Sequence, residues 1–186
     1  MTSRLLAGLD RVTAAMAYVA GALFIALSFY LTVDVIGRKF FHLSTAVSDE
    51  YGGYALAVGG MWALAYTLRT GGHVRIDILL PYLPRTVRGV LDYGALLCMI
   101  VFVSMIAIYT WRLAIDSYVG DGRAMSFLRT PLCVPQGLMA VGFTALSVEA
   151  IAILLIGIVA SARQGRLAPL AIQEAGDAED SEKVSL

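Results

Sequence analysis

Apolar positions gather into four stretches separated by polar breaks: residues 14–37, 51–68, 88–116 and 136–160. Each is close to, or longer than, the ~20 residues a helix needs to cross a ~30 Å hydrocarbon core. The first carries Asp34 as its only charge. A secretory signal would have an apolar core of about 7–15 residues followed by a small-residue cleavage site. This run is longer and ends in Asp34–Val35–Ile36–Gly37–Arg38–Lys39, which predicts a retained first helix followed by a loop over Arg38–Glu50.

Inside the second stretch, Gly52, Ala55, Gly59 and Ala63 share one helical stripe, with Gly53, Ala57 and Gly60 beside it. Small residues let helix backbones approach closely in lipid, where dispersion replaces the hydrophobic effect as the driving force. The pattern predicts a helix packed tightly against protein. Asp34/Arg38, Arg88/Asp92 and Arg112/Asp116 each have i, i+4 spacing, so each pair shares a helix face. They mark the ends of the stretches, where a long arginine reaches water, and so read as interfacial anchors rather than an ion path. Glu149 lies near the middle of the fourth stretch with no basic residue at i±3 or i±4. A carboxylate there costs a few kcal/mol unless it is protonated, paired or turned towards protein. Any ionic partner must come from another helix or another chain.

Between the second and third stretches lies the densest polar and turn-forming segment of the first 160 residues, Arg69 to Pro84. Gly71–Gly72 breaks the preceding helix, and Pro81 and Pro84 delay the next. Val74, Ile76, Ile78 and Leu80 alternate as in a strand, while Ile76, Leu79, Leu80 and Leu83 keep a helical spacing. A lone strand would leave its backbone unpaired, which favours a short amphipathic segment on the membrane surface. The predicted fold is therefore an all-α integral membrane protein. It has four transmembrane helices and a short amphipathic cytoplasmic segment between helices 2 and 3. Residues 1–13 form a polar N-terminus. Residues 14–161 hold the membrane domain, and 162–186 form an acidic tail without aromatics, expected to be disordered.

Composition agrees with lipid as the solvent. The 186 residues are 59% hydrophobic and only 15% charged, with a mean hydropathy of +0.76. The formal net charge is zero, which argues against a nucleic-acid partner. Cys98 and Cys133 form neither a CxxC nor a metal-ligand spacing and read as small packing residues. Charge sets the orientation. Arg4, Arg11, Arg69, Arg75, Arg85, Arg88, Arg163 and Arg166 fall on one side, and Arg38, Lys39, Arg112, Arg123 and Arg129 on the other. That is eight against five, and the positive-inside rule puts both termini and the Arg69–Pro84 segment in the cytoplasm.

Catalytic chemistry is absent from the sequence. There is no phosphate loop, GxSxG or HExxH, and no nucleophile–base pair can be read from spacing. The two histidines, His42 and His73, lie in loops, which weakens a haem-binding redox subunit needing paired histidines inside its spans. His73 and Asp77 could hold a metal if helical, but two ligands without a third favour a hydrogen-bonded loop. No cofactor is expected and no enzyme activity. A complete transporter would want a broken-helix pair or internal repeat, and neither is visible, so a partner subunit is expected.

The residues resemble those of the small membrane subunit of tripartite ATP-independent periplasmic (TRAP) transporters, the DctQ-like proteins. The resemblance starts at Asp34–Val35–Ile36–Gly37–Arg38–Lys39–Phe40 and continues through Ser48–Asp49–Glu50, although the tryptophan frequent before that acidic pair is replaced here by Ala46–Val47–Ser48. Its most specific part is Arg69–Thr70–Gly71–Gly72–His73–Val74–Arg75–Ile76–Asp77 followed by Leu83–Pro84, similar to a G-x-H-[VI]-x-[VI]-D…LP signature. Met125–Ser126–Phe127–Leu128–Arg129–Thr130–Pro131 and Pro135 are similar to a looser pattern before the last helix.

The resemblance implies a scaffold subunit in the inner membrane, with no catalytic residues. Its partners would be a large many-helix transport subunit, a periplasmic substrate-binding protein and the bilayer. Together they would import carboxylate-bearing solutes on an ion gradient. Gly72, His73, Arg75, Asp77 and Pro84 are candidates for a structural loop at the subunit interface. Arg38, Asp49, Glu50, Gly52, Gly59 and Glu149 are further interface candidates. A redox membrane anchor and the small subunit of a tripartite tricarboxylate transporter are the alternatives.

Overall fold

The structure, a computed structural model, describes residues 2–41, 47–71, 84–126 and 128–164. They form four helices: α1 (Thr2–Phe41), α2 (Ser48–Arg69), α3 (Arg85–Val119) and α4 (Cys133–Gln164). The all-helical expectation holds. The ambiguous segment 72–83 and the tail from 165 onward lie outside the described residues.

Three of these helices, α1, α3 and α4, are long and apolar enough to cross a membrane, with apolar windows of mean hydropathy 2.1, 2.2 and 2.4. Their many exposed large side chains, among them Ile25, Phe29, Phe102 and Ile115, would be a liability in water but suit hydrocarbon. α2 is less apolar, because glycines, tyrosines and a tryptophan take up much of its 22 residues.

α1 is longer than the sequence pattern predicts. It starts at Thr2 and continues through Arg38 to Phe41, so the helix takes in the polar N-terminus and the first residues of the expected loop. No proline occurs before Pro81 to interrupt it.

The helices lie in the spatial order α1–α2–α4–α3. α1 packs on α2, α2 on α4 and α4 on α3, while α1 barely reaches α4. The arrangement is a layer with α2 and α4 inside and α1 and α3 at its edges. α1 buries Thr13, Met16, Ala20 and Asp34 and half-buries Leu23, Leu27 and Leu31, a stripe with steps of three and four. That spacing suits shallow-angle packing against a single neighbour. The largest apolar cluster joins Ala65 and Leu68 of α2, Leu96 and Val103 of α3, and Leu146, Ala150 and Ile153 of α4.

Side-chain hydrogen bonds tie both α2 and α3 to α4. Trp62 Nε1 donates to the Leu138 carbonyl at 2.8 Å, and Trp111 Nε1 donates to Thr144 Oγ1 at 3.0 Å. Tyr93 and Ser161 hydroxyls meet at 3.0 Å. Such bonds between membrane helices average roughly 0.6 kcal/mol, up to about 1.7.

α2 and α4 come close at Gly142 of α4, where a Cβ would sit 2.9 Å from Met61 Cβ and 3.1 Å from the Met61 backbone carbonyl carbon. On α2 only Gly59 of the predicted small stripe is pressed in the same way, with the Phe24 ring 2.9 Å from where its Cβ would be. Gly52, Gly53 and Gly60 meet open space.

α3 ends in a Schellman-type cap. Gly122 N–H donates to the Ser117 carbonyl at 2.8 Å, and Asp121 N–H to that of Tyr118 at 3.4 Å. Asp121 takes the left-handed position (φ 47°) that glycine more often fills. Gly122 and Ala124 then pair with Leu132 and Thr130, returning the chain directly to α4.

Candidate functional site

Arg69, the last residue of α2, engages carboxylates from two other helices. Its Nη1 lies 2.8 Å from Glu149 Oε1 of α4, and the same nitrogen is paired with Asp10 Oδ1 of α1. Three helices are thus tied at one point. The Glu149 side chain is 1% exposed, whereas that of Arg69 is 31% exposed. The helix places the arginine well, since a cation in the last turn complements the C-terminal carbonyls. Its long stem lets the guanidinium bridge two helices while keeping contact with the solvent boundary. The partner that Glu149 requires is therefore on another helix of the same chain, 80 residues away in sequence. Asp10, read from the sequence only as part of a polar terminus, is the member that sequence reasoning missed.

The i, i+4 pair Asp34/Arg38 closes: Arg38 Nε donates to Asp34 Oδ2 at 2.9 Å, and the aspartate is buried beneath it. Arg112 instead lies over the Tyr109 ring, 5.6 Å from its centroid, and forms no ion pair with Asp116.

The other sequence candidates are dispersed. Glu50 accepts a hydrogen bond from the Tyr54 hydroxyl at 2.9 Å, at the opposite end of α2 from Arg69. Asp49 falls in the first turn of α2. Pro84 caps α3, and its carbonyl accepts from Arg88 N–H at 3.0 Å. Gly72, His73, Arg75 and Asp77 lie outside the described residues. Among the described residues no group of three His, Cys, Asp or Glu is arranged to hold a metal ion.

The second feature is a groove of about 490 Å³ between α1 and the start of α4, floored by α2. Leu23 and Leu27 form one wall, Ala55 and Val58 the floor, and Val134 and Leu138 the other wall. It exists because α1 and α4 both pack on α2 yet scarcely touch each other.

Residues 27–160 match the family described as tripartite ATP-independent periplasmic transporters, DctQ component. The chain belongs to this family. Comparisons with curated proteins and with solved structures returned no match. A DctQ component is part of a transporter and not an enzyme. The match covers Asp34–Arg38, the Arg69–Pro84 segment, the α3–α4 loop and Glu149, but it excludes Asp10 and the tail. The DctQ assignment also decides between the three readings of the sequence in favour of the TRAP transporter subunit.

Proposed function

We propose that the chain is the scaffold subunit of a binding-protein-dependent secondary transporter that imports carboxylate-type organic solutes on an ion gradient. It braces the large transport subunit and carries no solute site of its own. The observation that carries this reading is the Arg69–Glu149 pair: the deepest carboxylate of the chain is engaged by a cation of the same chain. A buried pair that ties helices together serves packing, whereas an ion or solute site needs groups left free to exchange partners.

In this reading α2 is the fourth transmembrane helix. Its 22 residues at ~1.5 Å each give about 33 Å, close to a ~30 Å hydrocarbon core. Its lower hydropathy is tolerable because α1 and α4 cover it on both sides. The protein resides in the inner membrane with both termini in the cytoplasm, as the distribution of arginines supports. The Arg69–Pro84 segment faces the cytoplasm in this reading, and Gly72, His73, Arg75, Asp77 and Pro84 shape its contact with the large subunit.

The test is uptake of a labelled carboxylate by cells carrying the large subunit and the binding protein of the same transporter. Uptake is expected only when this chain is co-expressed. Full-rate uptake in its absence would remove the scaffold role.

A further inference from the structure

We propose that the helical layer stands obliquely in the bilayer, tilted within its own plane by about 40° from the membrane normal. This placement requires only that the helices span a bilayer, whatever the chain does for a partner. Two independent observations point to it, and the first is length. The apolar helices run over Gly8–Phe41, Val87–Val119 and Cys133–Arg163, or 34, 33 and 31 residues. At ~1.5 Å per residue they extend about 46–51 Å, beyond both the ~30 Å hydrocarbon core and the ~40–45 Å of a bilayer with its headgroups. Upright, they would push apolar side chains into water. Inclined by ~40°, they cover about 35–39 Å of depth and fit.

The second observation is stagger. In an upright layer the midpoints of the apolar helices share one level, whereas in an inclined layer each slides along its neighbour. Here they slide. The middle of α1 is at Phe24, whose ring lies against Gly59 of α2. The middle of α4 is at Val148, beside Glu149, and Glu149 meets Arg69 at the far end of α2 from Ser48. Trp111–Thr144 and Tyr93–Ser161 set the register of α3 on α4 and bring Val103, the middle of α3, level with Ile151. Both steps run the same way, because α2 and α4 lie side by side in one direction. Together they amount to about 13 residues, or roughly 20 Å. Three gaps of ~9 Å between neighbouring axes make a layer about 27 Å wide, so the midpoints climb at about 35–40° across it.

The Arg69 knot fits this placement. Glu149 then lies near the middle of the bilayer and Asp10 near its surface, with Arg69 reaching from one towards the other.

Cys98 of α3 and Ser28 of α1 are both exposed, and together they separate the two placements. Along the helix axes they lie about 32 Å apart, so an upright layer cannot hold both deep inside a ~30 Å core. In the oblique layer each is about 4–6 Å from mid-bilayer, on opposite sides. A nitroxide is attached to Cys98 in a chain carrying Cys133→Ser, and separately to Ser28→Cys in a chain carrying Cys98→Ser and Cys133→Ser. The full chains are reconstituted in phosphatidylcholine vesicles. Depth is read from collisions with oxygen and with a water-soluble nickel chelate. Both labels are expected in hydrocarbon, at depths differing by about 10 Å. Ile25→Cys, next to the α1 midpoint, is expected to read within about 10 Å of Cys98 and serves if the Ser28 variant fails to insert. A depth difference near ~30 Å, or a label at either position open to the nickel chelate, would overturn the proposal.

Discussion

Replacing Arg69 with methionine is expected to destabilise the folded chain by about 3–5 kcal/mol, because it leaves a buried carboxylate without its cation. Glu149 is almost wholly enclosed, its Oε1 depends on Arg69, and its Oε2 has no hydrogen-bond partner in the structure to fall back on. Glu149→Gln should cost far less, about 1 kcal/mol, since Arg69 keeps Asp10 and partial contact with the solvent boundary. The double variant Arg69→Met, Glu149→Gln should then be more stable than Arg69→Met alone. Asp10→Asn should cost under about 1 kcal/mol, as expected for a pair 40% exposed on the acidic side. Unfolding by SDS in mixed micelles, followed by tryptophan fluorescence, measures all four. Equal losses for Arg69→Met and Asp10→Asn would mean that the knot is only a surface ion pair.

The second large effect is expected at Gly142. A Cβ there would clash with the Met61 backbone as well as its side chain, and would come within 3.0 Å of Trp62 Cδ1. Backbone cannot swing aside as a side-chain end can, so Gly142→Leu has to push α2 away from α4. Overpacking of this kind costs about 1–3 kcal/mol. Breaking the Trp62–Leu138 hydrogen bond adds up to about 1.7 kcal/mol. Gly60→Ala, whose Cβ meets nothing within 4 Å, is the contrasting case and should be neutral or slightly stabilising. The same unfolding assay separates them, and equal behaviour of the two variants would refute the close α2–α4 seam.

These two sites show where the sequence could and could not be read. The four helices were legible because each apolar run is long and its breaks are strong: Gly71–Gly72, Pro84 and the Gly120–Pro131 loop. Glu149 was legible as a residue in need of a partner, since an isolated carboxylate in an apolar run is costly wherever it points. That the partner is Arg69 was not, because spacing along one helix says nothing about which helices become neighbours. The spatial order α1–α2–α4–α3 is a tertiary fact. For the same reason the small stripe was legible on α2, while the glycine pressed against a neighbouring helix backbone is Gly142 on the facing helix. Asp34/Arg38 and Arg112/Asp116 share a spacing, yet only the first closes, while Arg112 turns to the Tyr109 ring, which spacing along a helix does not tell.

The role of the Arg69–Pro84 segment rests on the family resemblance and the distribution of positive charge. Arg69 is its one charged member that the structure describes, and that residue anchors three helices.

The central claim is that this chain holds the transporter together and does not handle the solute. Its most direct test is transport by the complete transporter carrying Arg69→Met in this chain, with the amount of assembled complex quantified in the same membranes. The account predicts that maximal uptake falls in proportion to the complex recovered, while KM for the solute and the dependence on the coupling ion stay unchanged. A normal amount of complex with an altered KM or ion dependence would contradict it.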